Sequence, residues 1–167
     1  KTMHEPPPGD RPEAFDAVHA AIPAATYHAD ARAITLPQGD IPQGHGSRVI
    51  AYLDRDDHKN DDYLGLIGPG LRATYQWRVD RAAKADAAGI AARHAEYEHE
   101  ASVLPMLQKA GVTIMAGTDA GFLNSFNYPG IALHQELAIF VDKGLTPAEA
   151  LASATRAGPA WFGKLDH

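Results

Sequence analysis

Along this chain the spacing of apolar positions changes several times, and each change predicts an element. Phe15, Val18 and Ile22 recur at helical spacing after Pro12, with Asp10 placed to cap and Pro23 placed to stop the helix. The run Ala24-Ala25-Thr26-Tyr27-His28 fits a short buried strand ending at His28, although five residues alone do not separate strand from helix. Residues 36–70 then lose all period. Pro37, Gly39, Pro42, Gly44, Gly46, Gly65, Gly68, Pro69 and Gly70 punctuate them, which predicts a long loop or insertion with one apolar stretch at Val49 to Leu53.

From Leu71 to about Lys109 the good helix formers Ala, Glu, Arg and Lys dominate. Ala87, Ile90, His94, Tyr97, Ala101, Leu104 and Leu107 make one stripe at steps of three and four, with Pro105 placed to kink it. Beyond Gly111, Val112-Thr113-Ile114-Met115-Ala116 is a β-branched apolar run that reads as a strand buried on both faces, as in parallel sheets. A helix is predicted from about Gly130 to Gly144, with Leu133, Leu137, Phe140 and Val141 inward. Thr146-Pro147-Ala148-Glu149 has the form of a capping box with proline at the first helical position, and a last short helix is expected around Ala160 to Phe162. Helix, strand, loop, helix, helix is the grammar of an α/β fold.

Composition narrows the function classes. The 167 residues suit a single domain able to bury a core, and 45% hydrophobic content excludes a wholly disordered chain. Without cysteine there is neither a disulfide framework nor a thiolate zinc site, and cytosol and periplasm both remain compatible. A formal charge of −6 argues against a nucleic-acid partner. No run approaches the roughly 20 apolar residues that cross a bilayer, so no membrane partner is expected. The chain opens at Lys1, which reads as a processed or truncated start.

Nine histidines invite a search for metal ligands. His94-Ala95-Glu96-Tyr97-Glu98-His99 lacks both H-E-x-x-H and H-x-x-E-H and reads as a helix face. The acidic run from Asp54 to Asp62 lacks the glycine and closing glutamate of a calcium loop and reads as a solvated loop. Asp119 is the leading candidate. It follows an apolar run, and Gly117 and Gly121 beside it permit a sharp turn and close approach of a ligand. A carboxylate there can ligate a divalent metal and accept a proton from water, or it can simply cap the turn. Phe122, Asn124, Phe126 and Tyr128 follow and either line a substrate pocket or pack the loop on itself. His134 either orients that loop or lies at the surface.

The stretch Val112 to Gly121 resembles the eighth strand of the amidohydrolase superfamily. The text that follows matches as well: Pro129-Gly130, Leu133-His134-Gln135-Glu136-Leu137, Gly144 to Leu151, and Ala154-Thr155. The likeness spans about Leu104 to Leu165 and is closest to the imidazolonepropionase-like and prolidase-like hydrolases. It implies a (β/α)8 TIM-type barrel with one or two metals, usually zinc, at the C-terminal mouth. It gives Asp119 the role of metal ligand and proton acceptor in hydrolysis of a peptide-like or cyclic amide. It also implies further ligands from earlier strands, for which Lys1, His28 and His45 are the candidates by order along the chain.

The family's His-x-His pair has no counterpart here, and such a barrel takes roughly 250 residues. The resemblance therefore implies a partial α/β barrel, strands four to eight with their helices. Its open edges would require an oligomer or a missing complementary segment. Two other functions stay open: a non-catalytic interaction module that lost its metal, and an ester or lactone hydrolase on the same scaffold.

Overall fold

The computed structural model describes residues 44–121 and 125–165 with their side chains, and the backbone of 26–28 and 33–35. Two three-residue strands, β1 (Thr26–His28) and β2 (Ala33–Thr35), pair antiparallel with Tyr27 opposite Ile34. Among the described residues six α-helices follow: α1 (His45–Ala51), α2 (Pro69–Ala82), α3 (Ala87–Lys109), α4 (Ile131–Asp142), α5 (Pro147–Thr155) and α6 (Ala157–Trp161). A 3-10 turn over Asp62–Leu66 leads into α2. The helix proposed before Pro23 lies outside the described residues.

Local chemistry accounts for the helix boundaries. Pro69 opens α2 within its first turn, where its missing N–H costs nothing. Asp86 caps α3 by accepting the Gly89 amide at 2.8 Å. The capping box at α5 is complete, since Thr146 Oγ1 accepts the Glu149 amide while the Glu149 carboxylate accepts the Thr146 amide. Pro105 sits inside α3 without ending it.

Packing joins these helices around α1, which lies against both α3 and α4, while α4, α5 and α6 stack in sequence. One apolar cluster gathers Val49, Tyr75, Phe126 and Tyr128, with Leu53, Tyr63 and Ile67 against it. A second holds Leu104, Phe140, Leu145 and Ala150, and a third Ala51, Tyr97 and Ala101. The segment 36–70 thus contributes α1 and much of the wall of the first cluster.

The expected α/β architecture, a partial (β/α)8 barrel with strands four to eight, is not what the chain forms. Among the described residues helices dominate, the one ladder is the short antiparallel pair, and no parallel sheet exists. Val112 to Ala116 is the decisive segment. It runs without a strand assignment, Thr113 and Met115 exposed and Val112, Ile114 and Ala116 half-buried. Ile114 and Ala116 pack onto the α3–α4–α5 cluster, and the Ala116 amide donates to the Ser153 carbonyl rather than to another strand. An apolar β-branched run needs partners on both edges to become a central strand, and the helices cover only one of its faces.

Replacing Thr146 with Ala removes the side-chain acceptor of the capping box. Urea unfolding of Thr146→Ala should show a loss of about 1 kcal/mol with an unchanged slope. An unchanged midpoint would mean that the box does not hold this helix start.

Candidate functional site

His45 is the first residue of α1, where a helix leaves its amide donors unpaired. The donor of His45 is taken by Glu136 Oε2 on α4, at 2.6 Å in a buried contact. Glycines on both sides make this approach possible. A Cβ at Gly44 would overlap the Glu136 carboxylate, and one at Gly46 would press on Asn127 Nδ2 at 3.3 Å. Glu136 is only 3% exposed, and burial pushes its carboxyl above the usual range while the His45 amide pulls it back.

The ring of His45 is buried as well. The Phe126 carbonyl accepts a hydrogen bond from it, and Nε2 has no partner among the described residues. Burial lowers the pKa of His45, with the Phe126 carbonyl opposing and the charges of His58 and Arg48 adding to the fall. The product is a neutral imidazole, one nitrogen fixed by a backbone carbonyl and the other bare. Histidines that bind metals have this arrangement, because the second hydrogen bond sets tautomer and ring orientation.

Around His45 lie other groups able to take a cation. Asp61 and His58 are close enough for their charges to act on its ring. One atom each of Asp56, His58 and Asp61 fall within 4.8 Å of one another. Hydrogen bonds already order this group: His58 Nδ1 lies 3.0 Å from Asp61 Oδ2, which also accepts from Tyr128 Oη at 2.8 Å. The His58 amide donates to Asp56 Oδ1 at 2.9 Å, and the His58 ring stacks on Phe126 with centroids 4.8 Å apart.

Backbone conformation marks the same place. Among the described residues, the non-glycine residues with left-handed φ are His58 (57°), Asp119 (48°) and Phe126 (58°). Each costs on the order of 1 kcal/mol or more, and persists where its surroundings over-determine it. Asp119 is exposed, and the Asn127 side chain holds the preceding residue by donating to the Thr118 carbonyl. Asn127 is itself fully buried, its Oδ1 without a partner among the described residues. The turn 125–128 therefore touches the Asp119 loop through Asn127 and the two histidines through Phe126.

The residues named from the sequence are spread unevenly over this site. His45 sits at its centre, at a helix start rather than after a strand. Tyr128 is a core residue bonded to Asp61, and His134 points outward from α4 as an exposed side chain. Lys1, Phe122 and Asn124 lie outside the described residues, and only the backbone of His28 is described. Sequence reasoning missed Glu136, His58, Asp61 and Asn127. A readable signal existed for Glu136, a charge in register with the buried residues Ala132, Ile139 and Phe140.

Beside the site a cavity of about 510 Å³ is lined by His45, Arg48, Tyr52, Arg55, His58 and Lys143, among others. That volume is of the size that holds small molecules. Lys143 and Tyr52 are both committed to Glu98, at 2.7 and 2.8 Å. His94 bonds Asp54 and stacks on Tyr52, while His99 is exposed on the same helix.

The lowered pKa of His45 has a consequence for stability. As pH falls, the unfolded chain takes up this proton at about 6.5 while the folded chain resists it, so stability present above that pH is lost below it. Glu136 acts in the opposite sense, its raised pKa costing stability as pH rises above 4.5. In metal-free protein, the advantage of the native chain over His45→Gln should shrink between about pH 7 and about pH 5. A pH-independent difference would mean that His45 is not buried neutral. No protein-family model, curated protein or solved structure matches this chain.

Proposed function

We propose that the chain is a metal-dependent hydrolase of amide bonds, with His45 as a ligand to a divalent cation and Asp119 as the proton acceptor. The observation that carries the reading is the buried Nε2 of His45, which has no partner among the described residues and whose ring is pinned through its other nitrogen to the Phe126 carbonyl. Asp56, His58 and Asp61, whose ligand atoms lie within 4.8 Å of one another in a group that does not include His45, offer nitrogen and oxygen donors of the types zinc takes. Acidic clusters without an ion are common at surfaces, and the weight here rests on His45. The likeness of residues 104–165 to the amidohydrolases supports the chemistry, without the barrel.

A bound cation would polarise a carbonyl and make water a better nucleophile at neutral pH. The protein's own groups do the rest. Asp119, on an exposed loop, accepts the proton, and Asn127 fixes that loop at Thr118. Tyr128 and the Phe126 ring hold Asp61 and His58 in place. The adjacent cavity, with Arg48 and Arg55 in its wall, takes a small or dipeptide-like substrate.

The test pairs elemental analysis with hydrolysis of a panel of dipeptides and N-acyl amino acids. The chain dialysed against zinc should retain about one ion, and His45→Ala should lose it. Asp119→Asn should keep a cooperative unfolding transition and lose hydrolysis by at least roughly a hundredfold. No retained metal and no hydrolysis would favour a non-catalytic interaction module. Hydrolysis surviving in Asp119→Asn would remove the assigned proton acceptor.

A further inference from the structure

A cavity of about 390 Å³ between α1, α2 and α3 is lined by Ile50, Trp77, Arg78, Arg81, Ala82 and Arg93. Arg78 and Arg81 stand three apart on α2, and Arg93 reaches the same place from α3, where its Nη1 donates to the Ala82 carbonyl at 3.4 Å. No carboxylate is in this lining, and among the described residues none of the three arginines has an ion pair. Glu96 and Glu100 line an adjoining cavity that shares Arg78 and Arg93. Three like charges around one partly water-free space repel one another. Burial and the Arg81 charge pull the Arg78 guanidinium below its ordinary value. The Arg93 Nε is buried with no partner among the described residues, so its five donors are only partly used. A chain with 21 acidic residues had carboxylates to spare for this place, and the fold puts none in its wall. Trp77, 52% exposed, adds a flat apolar surface, with the Arg81 guanidinium 5.7 Å from its ring centre.

We propose that this cavity binds a phosphate monoester carried on an aromatic ring, of the size of a nucleoside monophosphate, with Arg78, Arg81 and Arg93 taking the phosphate and Trp77 the ring. Guanidinium forks match phosphate oxygens two donors at a time. A phosphate monoester near its dianionic form offsets more of three positive charges than the single charge of a carboxylate does. An indole face stacks on any flat base, which needs no sequence-like readout. The volume is in the range of small-molecule sites. The site needs no metal and does not depend on the hydrolase reading.

The experiment reads the cavity's own indole. The chain has two tryptophans, and Trp161→Phe, at an exposed position, leaves Trp77 as the sole one. Adenosine monophosphate titrated into that variant should quench the Trp77 emission saturably, and more weakly as salt is raised. In the same background, Arg78→Gln and Arg93→Gln should each weaken binding roughly tenfold or more, with urea midpoints level or higher. Arg156→Gln, the same charge lost elsewhere, should bind as tightly as its parent. Adenosine and inorganic phosphate should each bind roughly tenfold or more weakly than the monophosphate. Should the Arg78 and Arg93 variants fail to fold, Arg81→Gln, at an exposed position, carries the same test. Quenching that does not saturate, parental affinity in a folded variant of these arginines, or an equal loss in Arg156→Gln would overturn the site. Adenosine or inorganic phosphate binding as tightly as the monophosphate would overturn it as well.

Discussion

Ser125, Phe126, Asn127 and Tyr128 are buried as a connected turn between the Asp119 loop and α4, and each satisfies or orders something elsewhere. Ser125 Oγ donates to the Tyr75 carbonyl at 3.3 Å, which ties the turn to α2. Phe126 takes a left-handed backbone so that its carbonyl meets His45 while its ring stacks on His58. Asn127 holds Thr118, and Tyr128 holds Asp61. A buried turn must answer for every polar backbone group it carries, so a segment like this one is fixed by its neighbours and fixes them in return. The site is what these obligations assemble.

This constraint also explains how a mostly helical chain gathers polar groups into one place. α1 has only 7 residues and little packing surface of its own. It is kept by Val49 in the aromatic cluster, by Gly44 and Gly46 at close approach to α4 and the turn, and by the Glu136 grip at its start. Loosening any one of these would release the His45 ring, which makes local stability and site geometry two readings of the same contacts. The strained backbones of His58, Asp119 and Phe126 fit the picture, because strain survives only where several partners insist on it.

Much of the helical layout is legible in the sequence. The stripe through Tyr97, Ala101, Leu104 and Leu107 is buried on α3, and the Thr146–Glu149 box opens α5 as its residue types demand. The sheet was not legible, because Val112 to Ala116 carries the composition of a central strand without the neighbours that would make it one. On α4 the expected inward set of Leu133, Leu137, Phe140 and Val141 is rotated: Ala132, Glu136, Ile139 and Phe140 are buried and Val141 is exposed. A stripe drawn through apolar residues alone leaves out the charged side chain that is buried at position 136. The site was half legible. His45 enters from the sequence only through the resemblance, by its order along the chain, whereas His58 and Asp61 lie in an acidic run whose composition reads as surface. Only tertiary contact with Phe126 and Tyr128 distinguishes those two from their neighbours.

At the centre of the account is an imidazole kept neutral, pinned on one nitrogen and bare on the other. Long-range proton–nitrogen NMR of the histidine rings in metal-free protein at neutral pH reads that state directly. His45 should be a single Nδ1–H tautomer with an unprotonated Nε2, resisting protonation below its ordinary 6.5, and its Nε2 resonance should move on adding Zn2+. An Nε2–H tautomer, or an ordinary titration with no response to Zn2+, would contradict the account.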